Sequence, residues 1–373
     1  MNKVSCNISN FEELINGNYL YVDKTEFIWN LVKREFEGYL LYRPNNFGKS
    51  LTLSTIKAVF EGKKELFKGL AIYQKDYDWK KYPIIHFELK NYNFETLDNI
   101  ESSFKTIIQQ QALINDIMLT TNDAHDMFCQ LIEELYQKSG DVVILIDDYD
   151  KPFTDNNFTT KKREIQLYLY DFYGVIKAKN SCLRTVLLTG VCWFYLADML
   201  SGGLNNLLNV SYMSNYATMY GYTDDELEIY FKEHIAQIAA MQNTTVDNIK
   251  TQIAAWYGNY CFDENSAVVY NPLSLAQFIN NNGKFEIYKS NDNISTLLQE
   301  ISSEQMLDEN EVYEISKHFL FPFELNEISL VYLMIYAGLF TIKEVVPYFN
   351  EDFLKVDFPN IETKEYWNLL LTK

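Results

Sequence analysis

Gly48-Lys49-Ser50 is the first place in the chain where residue types and spacing imply chemistry. The tripeptide follows the apolar run Tyr39-Leu40-Leu41-Tyr42 and opens a helical run from Leu51 to Phe60. A strand, a tight turn and Gly-Lys-Ser at a helix N-terminus form the local geometry that cradles a nucleotide phosphate. Amides from Asn46 through Ser50 would hold the β- and γ-phosphates, with the Lys49 ammonium neutralising their charge. The second half of such a site is Val142-Val143-Ile144-Leu145-Ile146-Asp147-Asp148, a buried apolar strand that delivers carboxylates to its C-terminal edge. There Asp147 would hold Mg²⁺ through water and Ser50 would offer the same ion a hydroxyl. Read alone, Asp147-Asp148 equally ends a solvated strand ahead of an Asp-rich turn. The pattern GxxxxGK[ST] also places a glycine five residues before Gly48, where this chain has Arg43. Glycine lets backbone pass close to phosphate without a Cβ clash, so its absence weakens the pattern. The candidate nucleotide contacts in the loop are Arg43, Asn46, Phe47, Gly48, Lys49, Ser50 and Leu51.

These residues need a sheet to bring them together. Strand-like runs at Tyr39 to Arg43, Pro83 to Leu89, Val142 to Asp147 and Arg184 to Val191 alternate with helical stretches. The helical stretches lie near Leu51 to Phe60, Leu97 to Gln111, Ala124 to Lys138 and Lys161 to Lys177. Continuous Val/Ile/Leu runs separated by helices predict an α/β fold with a parallel sheet covered on both faces. After Gly221 helical periodicity takes over, with Asp224 to Met241, Val246 to Tyr257 and Leu273 to Asn280, and strand-like runs thin out. The expected division is a nucleotide-binding domain over 1–222, a helical lid over 223–283 and a small C-terminal domain over 284–373. Ile328 to Ile342 is 15 apolar residues, short of the ~20 that span a bilayer, and reads as a buried helix.

Composition sets limits on partners. With 32 Lys+Arg against 51 Asp+Glu the net charge is −19, so the whole-molecule field repels polyanions and restricts nucleic-acid contact to a local patch. Five scattered cysteines without CxxC spacing predict reduced thiols in a cytoplasm rather than a disulfide framework or a zinc site. The N-terminus lacks the basic-then-apolar plan of a secretory signal.

Three stretches resemble the AAA-ATPase-like family: Tyr21-Val22-Asp23-Lys24-Thr25, Arg43 through Leu51, and Phe60-Glu61-Gly62-Lys63-Lys64-Glu65-Leu66-Phe67-Lys68-Gly69-Leu70. Family members read YVDKT, RPRRFGKS and FEGKKELFKGL at these places. The resemblance continues through Ile146-Asp147-Asp148-Tyr149-Asp150-Lys151-Pro152 (family IDEYDKP), Leu188-Thr189-Gly190-Val191 and Ser201-Gly202-Gly203-Leu204-Asn205-Asn206-Leu207. Further along, it takes in Tyr220-Gly221-Tyr222-Thr223, Trp256-Tyr257 and Tyr270-Asn271-Pro272-Leu273-Ser274, tailing off near Phe358-Pro359-Asn360. It implies a P-loop ATPase of the AAA/STAND kind that binds ATP and Mg²⁺, with a helical lid and a winged-helix-like C-terminal domain. In such ATPases Asn271-Pro272 would contact nucleotide from the lid, or form only the turn before a helix. Thr189 would sense the γ-phosphate, or merely cap a strand end. Tyr21 to Thr25 would line the adenine side, or start a helix capped by Asp23 or Thr25. The resemblance also makes Arg43 in place of the first glycine ordinary.

The chain departs from the family at specific places. Asn45 and Asn46 replace two arginines, Asp148 replaces the catalytic glutamate, Trp193 stands where lysine is common, and Gly258-Asn259 replaces Asp-Gly. The Asp148 carboxylate is one methylene short, retreating by ~1.5 Å from where it would orient the attacking water. A misplacement of ~1 Å can cost ~100-fold in rate, so hydrolysis should suffer more than binding. Family members commonly carry a PD-(D/E)XK nuclease domain after the ATPase. The only late E-x-K, at Glu362-Thr363-Lys364, lacks a preceding acidic strand and reads as a solvated helix start, so a divergent member without the nuclease is expected. Two functions follow from the resemblance: a slow ATPase or ATP-driven switch acting on a protein partner, and a pseudo-ATPase serving as an interaction module.

Overall fold

The computed structural model describes residues 2–33, 38–155, 162–191, 207–288, 298, 312–316, 330–348 and 351–372. Trp193 and the stretch Ser201 to Asn206 lie outside the described residues. Two N-terminal helices, α1 (Phe11–Asn16) and α2 (Thr25–Val32), precede β1 (Gly38–Tyr42) and α3 (Lys49–Phe60). Then come β2 (Ile84–Glu88), α4 (Leu97–Ile114), α5 (Ala124–Ser139), β3 (Val142–Asp147), α6 (Lys151–Thr154), α7 (Lys162–Ala178), β4 (Leu183–Gly190) and β5 (Leu207–Asn209). These strands form one parallel sheet in the order β2-β3-β4-β1-β5.

Alternation along the strands explains why both faces are covered. On β1, Tyr39 and Leu41 face one side and pack with α3 residues such as Leu53, Ile56 and Phe60. Leu40 and Tyr42 face the other, in a core with Phe104 of α4, Leu131 of α5 and Phe172 of α7. Strands β1, β3 and β4 therefore bury two sets of side chains, which is the source of their near-continuous apolar runs. The result is the α/β P-loop NTPase-like fold expected from the runs.

Register then aligns the ends that matter. Leu41 pairs with Thr189, Ile146 with Leu188 and Glu88 with Asp147. The loop after β1 and the carboxylates ending β3 accordingly emerge at the same sheet edge, with β4 between them.

A helical layer follows: α8 (Asp224–Met241), α9 (Val246–Tyr257) and α10 (Pro272–Asn280). Leu227, Phe231, Ile235, Ile249, Ile253 and Phe278 form its own core, which Val22 joins. Thr223 and Glu226 make a reciprocal capping box that starts α8. Beyond it lie β6 (Tyr313–Ser316), α11 (Leu330–Tyr336), β7 (Thr341–Tyr348), β8 (Glu351–Asp357) and α12 (Ile361–Leu371). The last three strands form an antiparallel sheet, β6-β8-β7, that helical periodicity did not foretell.

Two expectations are corrected here. The run Ile328 to Ile342 is not one helix, because α11 ends at Tyr336, Gly338 turns the chain at φ +66°, and β7 begins at Thr341. Glu362 starts a helix, but not a solvated one: it is fully buried and accepts from Ser274 Oγ at 2.8 Å and Tyr288 N at 2.8 Å. The strand β8 before it carries acids at Glu351, Asp352 and Asp357, so the E-x-K letters are set apart by lying on a helix with their carboxylate occupied.

Candidate functional site

The loop between β1 and α3 is shaped by two left-handed residues, Asn46 at φ +71° and Gly48 at φ +90°. Alternating conformations of this kind turn successive amides to one side and make an anion-binding concavity. Nothing lies within 4 Å of where a Gly48 Cβ would sit, so φ rather than crowding demands glycine there. Asparagine tolerates such a φ better than most side chains, which gives Asn46 a conformational reason beyond the charge it lacks. Gly48 also stands at the N-cap of α3 and offers no side-chain cap to the first helical amides. Lys49 is buried and folds back on the loop, its Nζ donating to Arg43 O at 3.0 Å and Pro44 O at 3.2 Å.

The carboxylates are held differently from one another. Asp147 is buried and its Oδ1 accepts from Thr189 Oγ1 at 2.5 Å. Asp150 is buried and its Oδ2 accepts from Val191 N at 2.8 Å. Asp148 adopts φ +55°, stops β3 and turns the chain, with Lys151 N donating to its carbonyl at 2.9 Å. Burial and the neighbouring Asp147 charge push the Asp148 carboxyl up to about 6, against the pull of Lys49.

A cavity of about 400 Å³ opens where these parts meet. Its lining includes the polar residues Asn45, Asn46, Lys49, Ser50 and Asp148 with Gly48, and the side chains of Val22, Met219, Tyr222, Phe231 and Leu273. A mostly apolar lining with a few polar and charged groups is the usual make-up of a small-molecule pocket. A second cavity of about 530 Å³ runs beside β2, lined by Lys57, His86 and Gln111, but no phosphate-loop residue borders it.

The loop candidates divide on closer inspection. Asn46, Phe47, Gly48, Lys49, Ser50, Leu51, Pro272 and Asp148 all border the first cavity. Phe47 is buried, edge-on to Tyr260 at 4.9 Å and Phe262 at 5.4 Å, and so pins the loop to the segment before α10. The Arg43 side chain turns away, its guanidinium 4.1 Å over the Phe262 ring and 5.7 Å from Tyr220. Nη1 of Arg43 donates to Tyr42 O at 2.9 Å, and burial pulls its pKa down to about 10. Arg43 therefore serves the site through its backbone carbonyl, which holds Lys49. Asn271 is spent as the N-cap of α10, accepting from Leu273 N and Ser274 N, while Pro272 reaches the cavity. Thr189 is fully buried and does not border the cavity; it orients Asp147. Neither Gly258 nor Asn259 lies at the cavity.

Asp23 and Thr25 combine both readings of their segment. Asp23 Oδ1 accepts from Thr25 N at 2.8 Å to start α2, while Tyr21, Val22 and Lys24 line the cavity. Sequence reasoning missed the polar N-terminal segment from Val4 to Ser9, which borders the cavity and carries no motif. It also missed Lys90, which only the strand order brings near. Asp123, His125 and Asp126 place possible ligand atoms within 4.8 Å of one another, a grouping not seen in the sequence. They are explained by Asp123 capping α5.

The fold is that of a P-loop NTPase. The model of the family described as predicted AAA-ATPase matches residues 5–200. An uncharacterised protein in the vnfD 5′ region of Azotobacter chroococcum mcd 1 is 30% identical over 374 residues, covering 98% of this chain and 69% of its own length. The chain belongs to the predicted AAA-ATPase family. Among solved structures, the Aeropyrum pernix ORC2 protein in its ADPNP–ADP complexes aligns at a TM-score of 0.39 and 12% identity, covering 96% of this chain and 97% of its own. The ADP form of ORC2 aligns at 0.36 and 11%, covering 96% of each chain.

Proposed function

We propose that this chain binds Mg·ATP at the Gly48-Lys49-Ser50 loop and hydrolyses it slowly, acting as a nucleotide-dependent switch toward a protein partner. The observation that carries the reading is one cavity bordered by Lys49, Ser50 and Asp148 at the edge where Asp147 ends β3. The donor set suits a hard divalent cation: a hydroxyl from Ser50 and a buried carboxylate on Asp147, whose Oδ1 is bonded to Thr189. Ser50 and Asp147 would hold Mg²⁺, which neutralises phosphate charge when bound. The loop amides and Lys49 bind and orient the phosphates. The residue ranges 1–222, 223–283 and 284–373 are proposed as nucleotide domain, lid and C-terminal domain, with the lid contributing Pro272 to the cavity.

Asp148 would accept a proton from, and orient, the attacking water. A carboxyl near 6 is mostly ionised at pH 7, so its basicity is adequate. Its reach is what falls short, which is why turnover is slow. The same shortfall supports a second reading, a pseudo-ATPase acting as an interaction module. Phosphate release from excess Mg·ATP separates the two. Asp148→Glu should raise the rate on the order of 10- to 100-fold over a wild type near background. No rise with glutamate would make the lost basic groups at Asn45 and Asn46, or a missing partner, the cause of slow turnover. No release above background from either protein would reject the slow-ATPase reading in favour of the interaction module.

A further inference from the structure

Three lysines border the nucleotide cavity: Lys24, Lys49 and Lys90. Lys24 is committed, its Nζ donating to Thr218 O at 2.8 Å and pairing with Glu226 at 2.6 Å. Lys49 is wrapped by its own loop carbonyls. The Lys90 ammonium is exposed and, among the described residues, makes no hydrogen bond or ion pair. It sits on a one-turn 3-10 helix, Leu89–Asn91, that follows β2 and is anchored by the fully buried Leu89.

Its direction of approach is set by the topology. Glu88 is in register with Asp147, so the turn after β2 and the turn after β3 leave the sheet side by side, and Lys90 and Asp148 border the same cavity. The Lys90 charge is felt there, favouring the ionised form of Asp148. Strand β2 lies three places from β1, about 14 Å at ordinary strand spacing, so Lys90 enters from the side opposite the phosphate loop. A phosphate chain on the loop amides whose last group points toward Asp148 would meet a cation entering from β2 at that last group.

Resting on the Mg·ATP reading above, we infer that Lys90 is a phosphate contact specific to the terminal phosphate, so that preference for nucleoside triphosphate over diphosphate depends on it. The Lys49 loop is needed by both nucleotides, and Lys90 supplies most of the difference between them.

The test is calorimetric titration of the full chain with Mg·AMPPNP and Mg·ADP, using wild type, Lys90→Ala, Lys90→Arg and Lys49→Ala. Lys90→Ala should weaken the triphosphate analogue about tenfold, the size of one charge-assisted hydrogen bond, and change ADP affinity less than about twofold. Lys90→Arg should restore most of the loss, since the charge is kept. Equal weakening of both nucleotides, or of neither, would overturn the role of Lys90 while Lys49→Ala still abolished binding. A wild type that binds neither nucleotide would overturn the Mg·ATP reading itself, and this inference with it.

Discussion

Asp148 shows how one residue can satisfy the backbone and compromise the chemistry. Its φ of +55° lies in the left-handed region, which aspartate enters more readily than glutamate, so the shorter acid suits the turn that ends β3. The cost appears in its ionisation. Burial beside Asp147 raises the carboxyl to about 6, above its unfolded value near 3.8, so the folded state binds more protons between those two pH values. Stability of the nucleotide-free protein should therefore fall through this group as pH rises from about 4 to above 6. Asp148→Asn removes the effect. Melting temperatures across that range should show the asparagine variant pulling ahead of wild type as pH rises, by on the order of 1–3 kcal/mol at pH 7. A gap that is constant with pH would contradict it. Asn46 repeats the theme, since its left-handed backbone suits asparagine where the family has arginine.

At the scale of elements, α8 does two jobs through Glu226. The residue closes the capping box with Thr223 and pairs with Lys24, which is mostly buried and whose pKa burial lowers despite the pair. Glu226→Ala would strand that ammonium and uncap the helix, at about 3 kcal/mol by urea denaturation, whereas a loss under about 0.5 kcal/mol would show the pair to be idle. Elements of this kind were legible in the sequence wherever one period dominated. Strands β1 to β4 and helices α3 to α5 and α7 to α10 fall within three residues of their predicted bounds, because each buries a continuous or strictly periodic apolar set. The three residues of β5 were too short to show a period. The β6-β8-β7 sheet was hidden because the apolar run into β7 continues unbroken from α11, with only Gly338 marking the change. At the cavity, the places of Lys49, Ser50 and Asp148 were legible because local spacing fixes their geometry, whereas Asp147 is buried at the end of β3 and does not line it. Lys90 and the N-terminal segment were not legible, because long-range topology places them. Arg43 was misjudged for a related reason: which way its side chain turns is decided by Phe262 and Tyr220, more than 170 positions downstream.

Across the whole molecule, contacts from distant parts of the chain converge on the cavity. The N-terminal segment is tied to α8 by a hydrogen bond between His234 Nε2 and Asn2 O at 3.0 Å, and to α10 by Asn280 Nδ2 donating to Val4 O at 3.1 Å. Helix α10 is tied in turn to α12 through Ser274 and the buried Glu362. Phe47 joins the phosphate loop to the same layer. A ligand that moves the loop or Pro272 therefore has packed routes to both ends of the chain, which suits a switch. The net charge of −19 makes a polyanionic partner unfavourable over most of the surface, and no helix among the described residues is long and apolar enough to cross a membrane. All of this depends on the loop holding phosphate. Titrating Mg·ATP into wild type and Lys49→Ala by isothermal calorimetry tests that claim most directly. The wild type should show saturable one-site heats, with affinity lost by tenfold or more in the alanine variant. Equal heats from both proteins, or none from either, would contradict it.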